Sequence, residues 1–293
     1  MNSESVLSTR RRIEFVVPGL RDPRITLLIA LSTWTILGQE ILYFNRSTQQ
    51  IVLALVTCSI LDVVLGIITM RKILIPLSGA ITGLSLGILL ESYDPSVFIV
   101  ASVWAIASKH LVRFKDQHVF NPSNFGVVAA ILLSHGVATV APGSQWGGDF
   151  RYAILIFAIG MVMMWRVKRL SLVLGWLSGY IVLALFRMLV GQGGLIFALG
   201  PLSGAEFTLF TFSMIPDPKT SPSEKGGQIL WGLSIGLIDG ILRLAEIRFS
   251  MFYALFFLCA VRPWFTPIRL RLSDLVHAAF RLRLRSAAQT EAQ

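Results

Sequence analysis

Charged side chains are scarce in this chain. Asp, Glu, Lys and Arg make up 14% of the 293 residues, whereas hydrophobic residues make up 54%. A soluble domain averages about 25% charged residues. Because a water-soluble fold of this size needs more polar surface, the composition favours the lipid bilayer as the solvent and excludes a disordered chain.

Cysteine is nearly absent, and several catalytic motifs are missing. The two cysteines, Cys58 and Cys259, lie in long apolar runs about 200 residues apart, which predicts buried thiols and excludes a secreted disulfide scaffold. The sequence contains no glycine-rich phosphate loop, serine nucleophile elbow or metalloprotease helix. The four histidines provide no facing pair for haem, and we predict no metal site.

Acidic residues are fewer than basic ones, and the formal net charge is +10. The basic residues form short clusters between apolar segments, where they orient membrane helices, so we predict no nucleic-acid partner. Arg10 to Arg12 precede the first apolar segment without a cleavage site, which indicates a retained tail. The distribution of Lys and Arg predicts both termini in the cytoplasm, in a bacterial inner membrane or its equivalent.

Long apolar runs are abundant. A scan for stretches of about 17 to 25 residues predicts an all-α integral membrane protein of about ten helices. The predicted spans are residues 25–44, 51–70, 73–90, 96–111, 119–135, 152–166, 170–190, 194–214, 226–244 and 249–265.

An internal repeat divides these spans into two sets of five. Ser-Gly-Ala-Ile-Thr-Gly-Leu at residues 78–84 recurs in form as Ser-Gly-Ala-Glu-Phe-Thr-Leu at residues 203–209, and an Asp-Pro follows each copy. Because the third and eighth spans run in opposite directions, the repeat is inverted. The expected organisation along the chain is a basic tail (1–24), a first repeat (25–135), an outer loop (136–151), a second repeat (152–265) and an amphipathic basic tail (266–293).

Proline and glycine interrupt three of the apolar segments, at residues 76–87, 120–126 and 201–222. Freed backbone groups are tolerated in a membrane only where protein or a cavity satisfies them. We therefore expect broken or re-entrant segments that point inward. In span nine, Gly232, Gly236 and Gly240 predict a close helix contact.

With these residues identified, the chain resembles the NqrB/RnfD family of membrane subunits, which belong to the sodium-pumping NADH:quinone oxidoreductase and to the Rnf electron-transport complex. Residues 78–84 with Asp94-Pro95 look like the family's third-span motif. Lys109-His110 followed by residues 120–126 is similar to its Lys-His or Lys-Gln, then Phe-Asn-Pro-Ala, signature. Residues 202–205 through 214–222 look like its Leu-Ser-Gly-Gly, then Met-Ala-Thr-Asp-Pro-Val-Thr-Ser-Pro, element.

The resemblance implies two inverted five-helix halves that bind flavin, FMN or riboflavin, and relay electrons with other membrane subunits, as part of a membrane oxidoreductase. Members with covalent FMN attach it to the Thr of a Ser-Gly-Ala-Thr sequence in an outer loop. Residues 137–149 lack that sequence, and Glu206 stands where the second Ser-Gly-Ala copy would need Thr. A noncovalent flavin is therefore expected.

Side chains in the three motifs carry the chemistry that a flavin needs: amides and hydroxyls for the ring edge and cations for its phosphate or anionic form. The candidate cofactor-binding residues are Ser78, Thr82, Lys109, Asn121, Ser123, Asn124, Ser203, Asp217, Lys219 and Thr220. The alternative is structural, because Asn before Pro initiates turns and Asp217 caps a chain break.

Three acidic residues inside predicted spans are candidates for an ion or proton pathway: Asp62, Glu206 and Asp239. Asp239 lies four residues before Arg243, so the two are predicted to pair on one helical face. Asp62 and Glu206 have no partner that the sequence suggests.

Two other functions remain open. Inverted halves with broken helices also suit a channel or transporter for an ion or small solute. A cofactor-free accessory subunit would keep the scaffold and pack against a larger complex, with an interior filled by Leu, Phe and Met.

Overall fold

The computed structural model describes residues 14–19, 22–40, 47–140 and 150–264. These residues are mostly helical, in agreement with the predicted all-α class. The predicted amphipathic tail at 266–293 and most of the predicted N-terminal tail and outer loop lie outside the described residues.

The first part of the chain contains five helices. They are α1 (Pro23–Glu40), α2 (Thr48–Met70), α3 (Leu77–Leu89), α4 (Ser96–Leu111) and α5 (Pro122–Leu133). Ser47 caps α2 through a reciprocal capping box with Gln50, and Asn121 caps α5.

The second part begins with α6 (Phe150–Arg166) and α7 (Leu170–Leu189). A broken segment follows: α8 (Leu195–Leu199), a 3₁₀ turn (Gly200–Ser203), α9 (Ala205–Leu209) and a π-helical stretch (Phe210–Met214). Its two arms bend by 62°. The last described helices are α10 (Lys225–Leu244) and α11 (Ser250–Trp264).

Three short ladders connect loops and helix ends. Strand β1 (Glu14–Val16) pairs in parallel with β2 (Lys72–Leu74), whereas β3 (Leu90–Glu91) pairs antiparallel with β6 (Thr139–Val140). Strands β4 (Arg113–Phe114) and β5 (Gln117–His118) form a tight hairpin between α4 and α5.

Three described helices, α2, α7 and α10, are long and apolar enough to cross a membrane, and the bent segment adds a fourth if its two arms form one span. The exterior agrees with this interpretation. Along α2, Val52, Val56, Ile60, Val64 and Ile68 recur every four residues, and each is 42–68% exposed. A continuous apolar stripe of this kind is stable against lipid and costly in water.

Glycines allow two helix pairs to approach closely. A Cβ at Gly236 would lie 2.7 Å from Tyr180 N and 2.8 Å from Gly179 of α7. Gly232 and Gly240 also face α7, which confirms the predicted seam in span nine. In α3, Gly79, Gly83 and Gly87 meet α2 in the same way.

The segment at residues 76–87 corrects one expectation. Helix α3 is regular from Leu77 to Leu89, and Pro76 precedes it, so this stretch is not broken. Its glycines allow close contact with α2, because two helix backbones can approach this closely only where no Cβ atom lies between them. The other two predicted interruptions do separate helices: Pro122 begins α5, and Pro218 lies between the π-helical stretch and α10.

Aromatic side chains fill the core around the bent segment. The Trp176 ring of α7 lies 5.4 Å from Phe207 and 5.3 Å from Phe210. Trp176 Nε1 donates to Thr211 Oγ1 (2.9 Å), and the Tyr180 hydroxyl donates to Ala198 O (2.9 Å). A side-chain hydroxyl and a backbone carbonyl of the bent segment thus find hydrogen-bond partners on α7.

Candidate functional site

Two of the motif segments meet at one end of the bundle. Asn121 precedes α5, and its Oδ1 accepts a hydrogen bond from the Asn124 N–H (3.0 Å). Its Nδ2 lies 3.4 Å from Met214 O and 3.4 Å from Asp217 Oδ2. We call this contact between residues 118–124 and 214–222 the junction.

Asp217 organises its own side of the junction. Its Oδ1 accepts from the Lys219 N–H (3.0 Å), and its carbonyl accepts from Ser221 Oγ (2.7 Å) and Thr220 Oγ1 (3.4 Å). Thr220 is fully buried. These hydrogen bonds satisfy polar groups in a loop outside the regular helices. This is the structural role that the sequence analysis gives as the alternative to cofactor binding.

His118 adds an imidazole that the sequence did not single out. Its Nδ1 donates to Phe120 O (2.7 Å), and its Nε2 lies 3.8 Å from Asp217 Oδ2. Burial lowers the pKa of His118; Asp217 opposes this effect, and the positive charges of Lys219 and Lys109 add to it. His118 is therefore neutral near pH 7.

Two further contacts tie the junction to neighbouring helices. Arg169, which precedes α7, donates to Ser221 Oγ (3.0 Å) and to Pro222 O (2.5 Å). Burial lowers the pKa of Arg169 from its ordinary value, and nearby Asp217 opposes this effect. Asn124 Nδ2 donates to Phe252 O of α11 (3.1 Å), while its buried Oδ1 has no hydrogen-bond partner among the described residues.

A second polar group, the α2–α4 cluster, consists of Asp62, Lys109 and His110. Lys109 Nζ lies 2.5 Å and His110 Nε2 lies 2.8 Å from the same oxygen, Asp62 Oδ1. Asp62 Oδ2 accepts from the Gly79 N–H of α3 (3.0 Å). All three side chains are buried, so the cluster joins three helices through one carboxylate.

A third group, the α10 cluster, lies at the C-terminal end of α10. Arg243 Nε donates to Asp239 Oδ2 (2.8 Å), which confirms the predicted pair four residues apart. Ser250 Oγ donates to Asp239 Oδ1 (2.5 Å), and the Arg243 guanidinium lies 5.4 Å from the Tyr180 ring centre. Asp239 is completely buried, so this pairing satisfies a carboxylate that would otherwise be costly in the membrane.

Of the remaining candidates, Ser123 belongs to the junction, and the others lie in other elements. Thr82 Oγ1 donates to Ser78 O inside α3 (2.9 Å), and Ser203 Oγ donates to Gly200 O in the 3₁₀ turn (2.7 Å). Ser123 is buried in the first turn of α5. Glu206, in the first turn of α9, is near enough to Tyr180 and Arg243 to act on them electrostatically.

The structure therefore brings together Asn121, Ser123, Asn124, Asp217, Lys219 and Thr220, places Lys109 with Asp62, and separates Ser203 from both groups. Sequence reasoning missed His118 and Arg169. His118 lies three residues before Asn121, so its proximity to the motif was an available signal, whereas nothing near Arg169 indicated a bond to Ser221.

The chain matches no protein-family model and no curated protein. The likeness to the NqrB/RnfD family thus rests on the three motifs.

Proposed function

We propose that the chain is a membrane-embedded subunit of an electron-transport complex of the NqrB/RnfD type. The observation that carries this proposal is the Asn121–Asp217 contact. Two separate motifs of the chain each resemble this family. Their residues Asn121 and Asp217 are 96 positions apart in the sequence, yet they meet at one polar junction. A shared site is a physical reason for both motifs to occur in one chain.

The finer proposal is two inverted five-helix halves with both termini in the cytoplasm, and ion-pair clusters on corresponding helices of the two sets support the repeat. The α2–α4 cluster lies at the C-terminal end of α4, the fourth helix of the first set. The α10 cluster lies at the C-terminal end of α10, the fourth helix of the second set. In an inverted arrangement these ends face opposite sides of the membrane.

The space beside the junction is small compared with ordinary small-molecule pockets. This cavity, at His118, has a volume of about 70 Å³, whereas small-molecule pockets measure about 300–1,000 Å³. A groove of about 480 Å³ lies between α6 and α7, but its lining is apolar apart from Ser203, whose hydroxyl bonds to Gly200. A noncovalent flavin in such a complex would therefore need polar groups from a partner subunit.

The hydrogen bonding of the junction also favours a second candidate function, a cofactor-free accessory subunit. The junction side chains are bonded to one another and to backbone atoms, as a structural brace requires. Leu, Phe and Met side chains fill much of the buried core, which is the interior expected for this role.

The test is purification of the chain from its native membrane in mild detergent, with its partner subunits retained. For an electron-transport subunit we expect flavin absorbance that acid precipitation releases, together with reduction of the flavin by a membrane electron donor. Asn121→Ala should weaken electron transfer, whereas Ser234→Ala, at a hydroxyl on α10 remote from the junction, should not. An assembled complex without any flavin would reject the redox proposal and leave the accessory role.

A further inference from the structure

A small cavity beside the β4–β5 hairpin is lined by cationic and amide side chains. Its volume is about 70 Å³, and its lining includes Lys115, Gln117, His118 and Arg262. Phe114 and Pro263 supply apolar walls. We call this space the hairpin cavity.

The hairpin has a fixed shape because its turn is specific. Lys115 and Asp116 adopt left-handed backbone angles (φ 48° and 61°), as the two central residues of a type I′ turn require. Arg113 pairs with His118 across the ladder and also donates to Asp116 O. Val119 N–H donates to Val112 O (3.1 Å), which continues the pairing below the strands.

Cationic side chains reach the cavity from two elements. Lys115 is at the hairpin tip, with its Nζ 5.6 Å from the Phe114 ring centre. Arg262 belongs to the last turn of α11, and its Nη1 donates to Lys219 O (2.6 Å), which brings a third cationic residue close. Lysine and arginine together are the residues that proteins use to bind phosphate groups.

No carboxylate is among the residues that line the cavity, although Asp217 and Asp116 lie nearby. Asp217 Oδ1 accepts from the Lys219 N–H, and its Oδ2 lies within 3.4 Å of Asn121 Nδ2. Asp116 is exposed at the hairpin tip. The lining therefore contributes the positive charges of Lys115 and Arg262, and the volume of the cavity suits a small oxyanion and excludes a drug-sized molecule.

The surroundings match the surface of a membrane. Leu111 and Trp264, which end α4 and α11, are 67% and 77% exposed. Exposed apolar and tryptophan side chains next to cations are typical of the headgroup level of a bilayer.

We propose that the hairpin cavity binds a phosphate-class oxyanion, supplied by an anionic lipid headgroup or by free phosphate, through Lys115 and Arg262. Lysine contributes a mobile point charge and arginine a planar fork of donors. The cavity borders the junction, since His118 belongs to both, but binding of an oxyanion there does not depend on the proposed function.

The experiment uses the full chain in two settings. Inorganic phosphate is titrated against the protein in neutral detergent by calorimetry. In parallel, the protein is reconstituted into nanodiscs of phosphatidylcholine with or without phosphatidic acid, and the retained phosphatidic acid is counted by native mass spectrometry. Saturable binding of phosphate indicates the free anion, and selective retention of phosphatidic acid without phosphate binding indicates the headgroup.

The variant Lys115→Gln with Arg262→Gln should bind either probe at least about tenfold more weakly, since hydrogen bonds between charged groups are stronger than neutral ones. Lys225→Gln removes an exposed cation at the start of α10 and should bind like the parent chain. If the double variant is unstable in detergent, Lys115→Gln alone, at an exposed tip, serves the same purpose. Equal binding by the parent and Lys115→Gln, or no binding in either setting, would overturn the proposal.

Discussion

Lys109 holds Asp62 in a buried ion pair with a distance of 2.5 Å between Nζ and Oδ1. The lysine that the family resemblance suggests for a flavin thus neutralises a carboxylate of its own chain. His110 shares the same oxygen, so one acidic residue of α2 fixes the end of α4.

The first prediction concerns this pair. Asp62→Asn leaves Lys109 buried without a counter-charge, which should lower the free energy of unfolding by about 3–5 kcal/mol. Thermal or SDS unfolding in detergent micelles measures the change. Asp62→Asn combined with Lys109→Met removes both charges and should recover part of the loss. Equal stability of the single and double variants would contradict the pair's role.

The second prediction concerns the contact between α7 and α10. Gly236→Ala places a methyl group within 3 Å of the α7 backbone and should lower the free energy of unfolding by about 1–3 kcal/mol. Gly226→Ala, in the first turn of the same helix, has open space and should be neutral or slightly stabilising. Unfolding of the two variants side by side checks this, and a loss at Gly226 equal to that at Gly236 would refute it.

The third prediction concerns pH. Because burial lowers the pKa of His118 in the folded state, the unfolded chain binds the proton first as the pH falls below its ordinary value of 6.5. The contribution of His118 to stability is complete above that pH and is lost during acidification, with Asp217 opposing the loss and Lys219 and Lys109 adding to it. His118→Gln cannot titrate, so its unfolding temperature should fall less steeply between pH 7 and pH 5. Parallel curves for the two proteins would show that the prediction is wrong.

The fourth prediction separates the two roles of Asn121. Asn121→Ser keeps an oxygen that can cap α5 but loses the amide that reaches Met214 and Asp217. Asn121→Ala loses both, and the missing cap alone should cost about 1 kcal/mol.

The readouts are unfolding and the electron-transfer assay described above. If the junction serves the redox complex, Asn121→Ser retains most of the stability and loses activity. An active Asn121→Ser protein would assign the junction a structural role only.

Local features followed from the sequence because helical geometry encodes them. The pair Asp239–Arg243 needs only a spacing of four residues on one helix, and the glycine seam of α10 needs only small residues at that same interval. The cap at Asn121 needs only a turn-forming residue before Pro122. The regular course of α3 was misjudged because glycines at residues 79, 83 and 87 fit a broken helix and a close contact equally well.

By itself, the sequence determined that this is a helical chain with apolar helices able to span a membrane, buried thiols at Cys58 and Cys259, and polar motifs around Asn121 and Asp217. Only the tertiary structure decided that Lys109 binds Asp62, that His118 approaches Asp217, and that Ser203 lies apart from them. These partners are separated by tens of residues, and periodicity within one helix carries no information about which faces of distant helices pack together. The path of the connecting loops and the close packing at glycines fix those contacts.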